Sequence, residues 1–158
     1  MTPPLGTQLA GDTLEGGATI AWDGDLEQGQ GTVRFELGAG DELPLIWPGS
    51  ERNRSGATSP EELAAAAHAA CFTMTLAHAL ARAQHPPRRI TTNAKATFGV
   101  AERQRSIVRS RLDVAVEAAG LDQGELERAV ELAAGFCPVS NTLRAAGVEL
   151  LVEARLTG

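Results

Sequence analysis

The chain has 158 residues, of which 43% are apolar and only 4% aromatic, and its formal net charge is −6. This length and apolar content predict one domain with a largely aliphatic core. The negative charge argues against nucleic acid or an anionic membrane surface as a partner.

The ends of the predicted domain follow from local composition. Residues 1–16 are rich in Pro, Gly, Thr and acidic side chains and predict a flexible arm, so residues 17–158 are expected to form the single domain. The arm has no basic segment followed by an apolar one, so we expect no secretory signal. Polar side chains interrupt the most apolar run, 63–80, and we therefore expect no membrane span and a cytoplasmic protein.

The first third of the chain predicts a small sheet. Residues 18–22 and 32–37 alternate apolar and polar side chains around a Gly-containing turn, which is typical of a hairpin. Residues 43–47 predict a third strand, and Pro44 favours an edge position because proline has no backbone donor.

A long apolar helix is predicted over residues 59–84. Ser59 and Glu62 form a capping box at its start, which leaves the neighbouring Glu61 without a capping role. The segment is apolar on nearly every face, so we expect it in the interior of the protein. It carries Cys71 near its middle.

The remaining segments predict an α+β fold with antiparallel sheets, because strands and helices do not alternate regularly. They are strands at 90–100 and 106–118, helices at 123–134 and 138–146, and a strand at 148–156. Asp122 and Glu125 form a second capping box, and Gly135 is expected to end the helix that this box begins.

The two cysteines lie in different predicted environments. Cys137 precedes Pro138 at a predicted helix start, where free N–H groups and the helix dipole favour a thiolate. Cys71 lies within an apolar helix, so burial is expected to raise its pKa unless a cation reaches it. The alternative is that both are ordinary buried cysteines.

His68 lies three residues before Cys71, on nearly the same face of the helix. It could bind zinc or act as a base for Cys71. A zinc site needs further ligands, and no second Cys/His pair occurs at suitable spacing, so no metal is expected. We favour a structural histidine that hydrogen-bonds a polar neighbour.

Three motifs, in the same chain order as in the family, resemble the OsmC/Ohr family of organic hydroperoxide reductases. They are TSPEELAAAAHAACFTMTL at 58–76, CPVS at 137–140 and AWDGDLEQGQGTV at 21–33. The last resembles the OsmC branch, since the Ohr branch usually carries an arginine in this hairpin and none lies between Trp22 and Val33. The resemblance covers nearly the whole chain and implies an OsmC-like intertwined homodimer.

The resemblance also implies a mechanism. Cys71 would be the peroxidatic cysteine, which becomes a sulfenic acid, and Cys137 would resolve it as an intramolecular disulfide. An external dithiol, of lipoyl type by analogy with the Ohr branch, would restore both thiols. No cofactor or metal is expected. The implied role is defence against oxidative and osmotic stress.

The family's other site residues are a glutamate and an arginine. The glutamate maps to Glu61, and the arginine maps to Arg52, with Arg54 as the alternative. A guanidinium would stabilise the Cys71 thiolate and polarise the peroxide. Glu61 and Cys71 are ten positions apart on one helix, or about 15 Å along its axis. We therefore expect Glu61, with the arginine, to act on Cys71 of a partner chain in a homodimer.

Two other functions remain open at this point. The chain could bind an apolar ligand without catalysis, or it could use a slow Cys71–Cys137 disulfide as a redox sensor. Both cysteines stand at motif positions, which favours the peroxidase. An apolar pocket lined by Phe72, Met74 and Phe136 would favour alkyl hydroperoxides over hydrogen peroxide.

Overall fold

The described part of the chain forms two three-stranded sheets. A computed structural model describes residues 16–38, 40–49 and 55–157. They divide into two compact units, one ending at Leu63 and the other beginning at Ala64, and each is described by itself. The single domain over 17–158 stays a prediction, and nearly all of the predicted arm lies outside the described residues.

The first unit contains an antiparallel sheet in the order β1-β2-β3. Its strands are β1 (Ala18–Asp23), β2 (Gln30–Phe35) and β3 (Leu43–Leu45). The predicted hairpin is confirmed, and Gly24 takes the left-handed conformation (φ 95°) that its turn requires. β3 lies at the sheet edge, as expected from Pro44, which pairs with Thr32.

Helix α1 (Pro60–Arg82) begins where the capping pattern predicts. The Ser59 hydroxyl accepts a hydrogen bond from the Glu62 N–H at 3.3 Å. Within this chain only one side of the helix is buried, and Met74 is 67% exposed. Nothing in the described residues covers the other side, so burial of the helix on all faces stays a prediction.

Helix α1 is also long and apolar enough to meet the criterion for a membrane-spanning helix. By length and composition it could cross a bilayer, contrary to the expectation from its polar residues, and 33% of its most apolar stretch is buried. The core helix of a soluble protein meets the same criterion. Its buried residues Phe72, Leu76 and Leu80 belong to the core cluster of the second unit.

The second unit contains a mixed sheet in the order β4-β5-β6. Its elements are β4 (Arg89–Ala101), β5 (Gln104–Glu117), α2 (Gln123–Phe136), α3 (Pro138–Ala145) and β6 (Glu149–Leu156). β4 and β5 form the predicted hairpin. β6 pairs with β5 in parallel, so the expectation of wholly antiparallel sheets is corrected. The two helices between β5 and β6 supply the crossover that a parallel pair needs.

Both ends of α2 have an identifiable cause. The capping box is confirmed, since Asp122 and Glu125 exchange hydrogen bonds at 2.8 and 2.9 Å. The helix continues through Gly135 to Phe136, so the predicted end at Gly135 is wrong. It ends instead because Cys137 precedes Pro138 and adopts an extended conformation (φ −69°, ψ 114°).

The core of the second unit lies between one face of the sheet and its helices. It includes Leu112, Val114 and Val116 from β5, which alternate inward along the strand. The long helix contributes Phe72, and α2 contributes Leu126. Cys137 belongs to the same buried cluster, so the core itself determines where this thiol lies.

Candidate active site

The structure places the two cysteines in contact. The Sγ atoms of Cys71 and Cys137 are 3.3 Å apart, and both thiols are free. Cys137 is completely buried and Cys71 is partly buried. Two sulfurs this close can form a disulfide with a shift of only about 1 Å.

Both sulfurs lie at the start of α3. Cys137 is the N-cap residue, as the sequence predicts, and its Sγ accepts a hydrogen bond from the Ser140 N–H at 3.4 Å. The backbone of Val139 lowers the pKa of the Cys71 thiol. The first turn of α3 therefore points the Ser140 N–H at the Cys137 sulfur, an arrangement that favours negative charge on that sulfur.

Cys71 has a raised pKa in this chain. Burial is the largest cause, because it disfavours the charged thiolate, and the neighbouring Cys137 raises the pKa further. The Val139 backbone acts in the opposite direction but does not reverse the shift. This agrees with the expectation that Cys71 needs a cation to become a reactive thiolate.

His68 is a structural histidine, as favoured from the sequence. Its ring is 1% exposed, with Nδ1 2.7 Å from Ser110 Oγ and Nε2 2.8 Å from Ser140 Oγ. Both ring nitrogens are thereby engaged, so neither a zinc ligand nor a base for Cys71 is supported. Within the described ranges, no group of three His, Cys, Asp or Glu side chains is placed to hold a metal ion.

Of the remaining predicted site residues, only Glu61 lies within the described ranges. Glu61 lies in the first turn of α1, and its Oε2 is buried without a hydrogen-bond partner among the described residues. Arg52 and Arg54 lie outside the described residues. α1 is continuous from Pro60 to Arg82, so the ten-residue separation of Glu61 from Cys71 stands.

Sequence reasoning missed two residues and misplaced one. Ser140 was part of a recognised motif but received no role, although it stands three residues after Cys137 as His68 stands three before Cys71. Ser110 gives no sequence signal, because it is 42 positions from its partner His68. Phe72 is completely buried and cannot line an open pocket in this chain.

Comparison with known proteins assigns the chain to a family. The OsmC-like protein family model matches residues 52–153, which include both cysteines, His68 and Ser140. The chain belongs to the OsmC-like family. A curated OsmC-family relative, peroxiredoxin OsmC of Escherichia coli strain K12, is 35% identical over 124 residues, covering 78% of this chain and 86% of that protein. The predicted family is thus confirmed.

Solved OsmC-family structures share the fold. An OsmC-like protein of unknown function from Vibrio cholerae superposes with a TM-score of 0.73 at 19% identity, covering 90% of this chain and 100% of its own. An organic hydroperoxide resistance protein OsmC from Legionella pneumophila gives a TM-score of 0.66 at 25% identity, with 90% and 98% covered. These similarities confirm the predicted α+β, OsmC-like fold.

Proposed function

We propose that this chain is a cysteine-based peroxidase that reduces organic hydroperoxides to alcohols as a defence against oxidative and osmotic stress. The observation that carries the proposal is the 3.3 Å contact of the Cys71 and Cys137 sulfurs at the N-terminus of α3. Membership of the OsmC-like family and 35% identity to a peroxiredoxin support it.

The first step is oxidation of Cys71. Its thiolate attacks the distal oxygen of the hydroperoxide, forming an S–O bond as the O–O bond breaks. The alkoxide leaves and takes a proton to become the alcohol, while Cys71 becomes a sulfenic acid. Cys71 suits this role because it is the more accessible of the two thiols.

The second step uses Cys137. Its sulfur attacks the Cys71 sulfur, the S–OH bond breaks, and water leaves as the disulfide forms. An external dithiol, such as a reduced (dihydrolipoyl) lipoyl group, then reduces this disulfide and is itself oxidised to a disulfide. The protein's two thiols supply both electrons, so the proposed cycle includes no cofactor. We propose that it takes place in the cytoplasm.

The proposed site is completed by a second chain in a homodimer. The arrangement is supported by the exposed apolar side of α1, including Met74, and by the buried Glu61 oxygen, which has no partner among the described residues. Glu61 of one chain would orient Arg52, or Arg54, toward Cys71 of the other. The guanidinium would stabilise the thiolate, whose pKa burial raises.

Turnover tests the proposed function. The protein is incubated with cumene hydroperoxide and excess dihydrolipoamide, and peroxide loss is followed with hydrogen peroxide as the comparison substrate. We expect many equivalents of cumene hydroperoxide to be consumed per chain, and none beyond background by Cys71→Ser. Consumption that stops at one equivalent would indicate a sensor. No consumption, with Cys71 unmodified, would indicate a ligand-binding protein.

A further inference from the structure

A buried hydrogen-bonded cluster stands beside the two cysteines, and the steps described above do not use it. His68 of α1 contacts Ser110 of β5 at 2.7 Å and Ser140 of α3 at 2.8 Å. The three side chains are 1 to 2% exposed. Buried polar groups are retained at a cost unless their hydrogen bonds are satisfied, and here they satisfy one another.

The protonation state of His68 fits this cluster. Burial lowers the pKa of His68, which keeps the ring neutral near neutral pH. A neutral imidazole has one N–H donor and one acceptor nitrogen. One serine hydroxyl therefore accepts from the ring and the other donates to it, so both nitrogens have a partner.

The cluster is placed to control the geometry of the cysteine pair. His68 lies one helical turn before Cys71 on α1. Ser140 donates its backbone N–H to Cys137 Sγ while its hydroxyl contacts His68. The His68–Ser140 contact thus joins the turn that holds Cys137 to the helix that carries Cys71, and Ser110 fixes the ring from the sheet.

We propose that His68, Ser110 and Ser140 are positioning residues that hold Cys137 against Cys71 and thereby favour disulfide formation over further oxidation of Cys71. The second half of this inference rests on the proposed function, whereas the first concerns the thiol pair alone. A Cys71 sulfenic acid has two outcomes: attack by Cys137 gives the disulfide and water, and a second hydroperoxide gives the sulfinic acid and an alcohol. The first outcome depends steeply on how closely Cys137 is held.

The thiol–disulfide equilibrium tests the positioning without any peroxide. Each variant is equilibrated in glutathione redox buffers, acid-quenched, and the Cys71–Cys137 disulfide is measured by mass spectrometry. Because disulfide formation depends on the effective concentration of Cys137 at Cys71, and looser positioning lowers that concentration, we expect His68→Leu and Ser140→Ala to lower the equilibrium constant for disulfide formation by about tenfold. Ser110→Ala keeps the His68 ring and the Ser140 hydroxyl, and it should lower the equilibrium constant by about threefold or more.

Three comparisons separate positioning from general damage. Ser140→Thr keeps the hydroxyl and should stay within about twofold of wild type. His78→Gln alters the same helix at a ring whose Nε2 has no partner in the described structure, and it should leave the equilibrium unchanged. Wild-type equilibria in His68→Leu and Ser140→Ala would overturn the proposal, as would equal shifts in Ser140→Thr or His78→Gln.

Hyperoxidation tests the second half. With rising cumene hydroperoxide and no reductant, Ser140→Ala should accumulate Cys71 sulfinic acid at concentrations where wild type gives only the disulfide. Equal sulfinic acid in both would overturn this half. If no variant reacts with peroxide while the glutathione equilibria shift as expected, the proposed function fails and the positioning role stands.

Discussion

At the scale of single residues, the described surroundings of Cys71 disfavour its thiolate. Burial raises the pKa of its thiol, and the opposing effect of the Val139 backbone does not offset that rise. A cation beside the sulfur would favour the thiolate and lower the pKa. We therefore propose that reactivity at neutral pH depends on the arginine.

Replacing that arginine should move the pH dependence of Cys71 alkylation upward. In a Cys137→Ser background, we expect Arg52→Gln to raise the pH midpoint of iodoacetamide alkylation by about one unit or more. At neutral pH the rate then falls, because less thiolate is present. Arg54→Gln is the matched control and should keep the original midpoint. A shift in Arg54→Gln alone would assign the role to Arg54, and no shift in either would contradict an arginine role.

The residues of the site were predictable to different degrees. Cys137 could be placed at a helix start because it directly precedes Pro138, and proline favours the first helical position. Partners from distant segments leave none: nothing in the sequence pairs Ser110 with His68. The arginine could be narrowed only to Arg52 or Arg54, because a predicted loop has no helix or strand periodicity from which side-chain directions can be inferred.

At the scale of elements, α1 links the core to the site. Phe72 follows Cys71 directly and is completely buried in the cluster formed with β5 and α2. The packing that stabilises the second unit therefore also holds the helix that carries the thiol. Local patterns predicted α1, α2 and α3 because capping residues and apolar spacing act within each segment.

Truncating Phe72 should measure this packing. We expect Phe72→Ala to lower the free energy of unfolding by about 3–5 kcal/mol, because it leaves a cavity in the core. The comparison is Leu132→Ala on α2, a side chain 53% exposed, which should change it by no more than about 0.5 kcal/mol. Urea denaturation at one protein concentration provides the measurement. Similar losses for both variants would contradict the assigned core.

The sequence did not predict how the elements are joined across the sheet. The apolar pattern of β6 is equally compatible with a parallel and an antiparallel neighbour, and only the crossover through α2 and α3 decides for the parallel pairing with β5. The end of α2 was misplaced for a related reason. Gly135 is tolerated within the helix, and the Cys137–Pro138 bond sets the true end.

At the scale of the whole molecule, the central question is what covers the exposed side of α1. Its apolar character, and a Glu61 oxygen without a partner among the described residues, support the proposed homodimer with shared sites. In such a dimer each site contains Cys71 and Cys137 from one chain and Glu61 from the other. A mixture of complementary variants can then restore a complete site.

Coexpressing a Cys71→Ala chain with a Glu61→Ala chain should restore activity that neither possesses alone. Random pairing gives one complete site in each heterodimer, or about a quarter of wild-type activity. Cys71→Ala with Cys137→Ala is the matched control and should stay inactive, because the two sulfurs contact each other within one chain. Heterodimers of the first pair without activity would show that Glu61 does not act in trans.

The product of a single oxidation event tests most directly whether Cys71 is oxidised first and then forms a disulfide with Cys137. The reduced protein is mixed with one equivalent of cumene hydroperoxide without reductant, and its intact mass and peptides are measured. We expect each chain to lose two hydrogens and to give a linked Cys71–Cys137 peptide. In Cys137→Ser we expect a sulfenic acid trapped on Cys71. Unmodified cysteines, or oxidation that begins at Cys137, would contradict it.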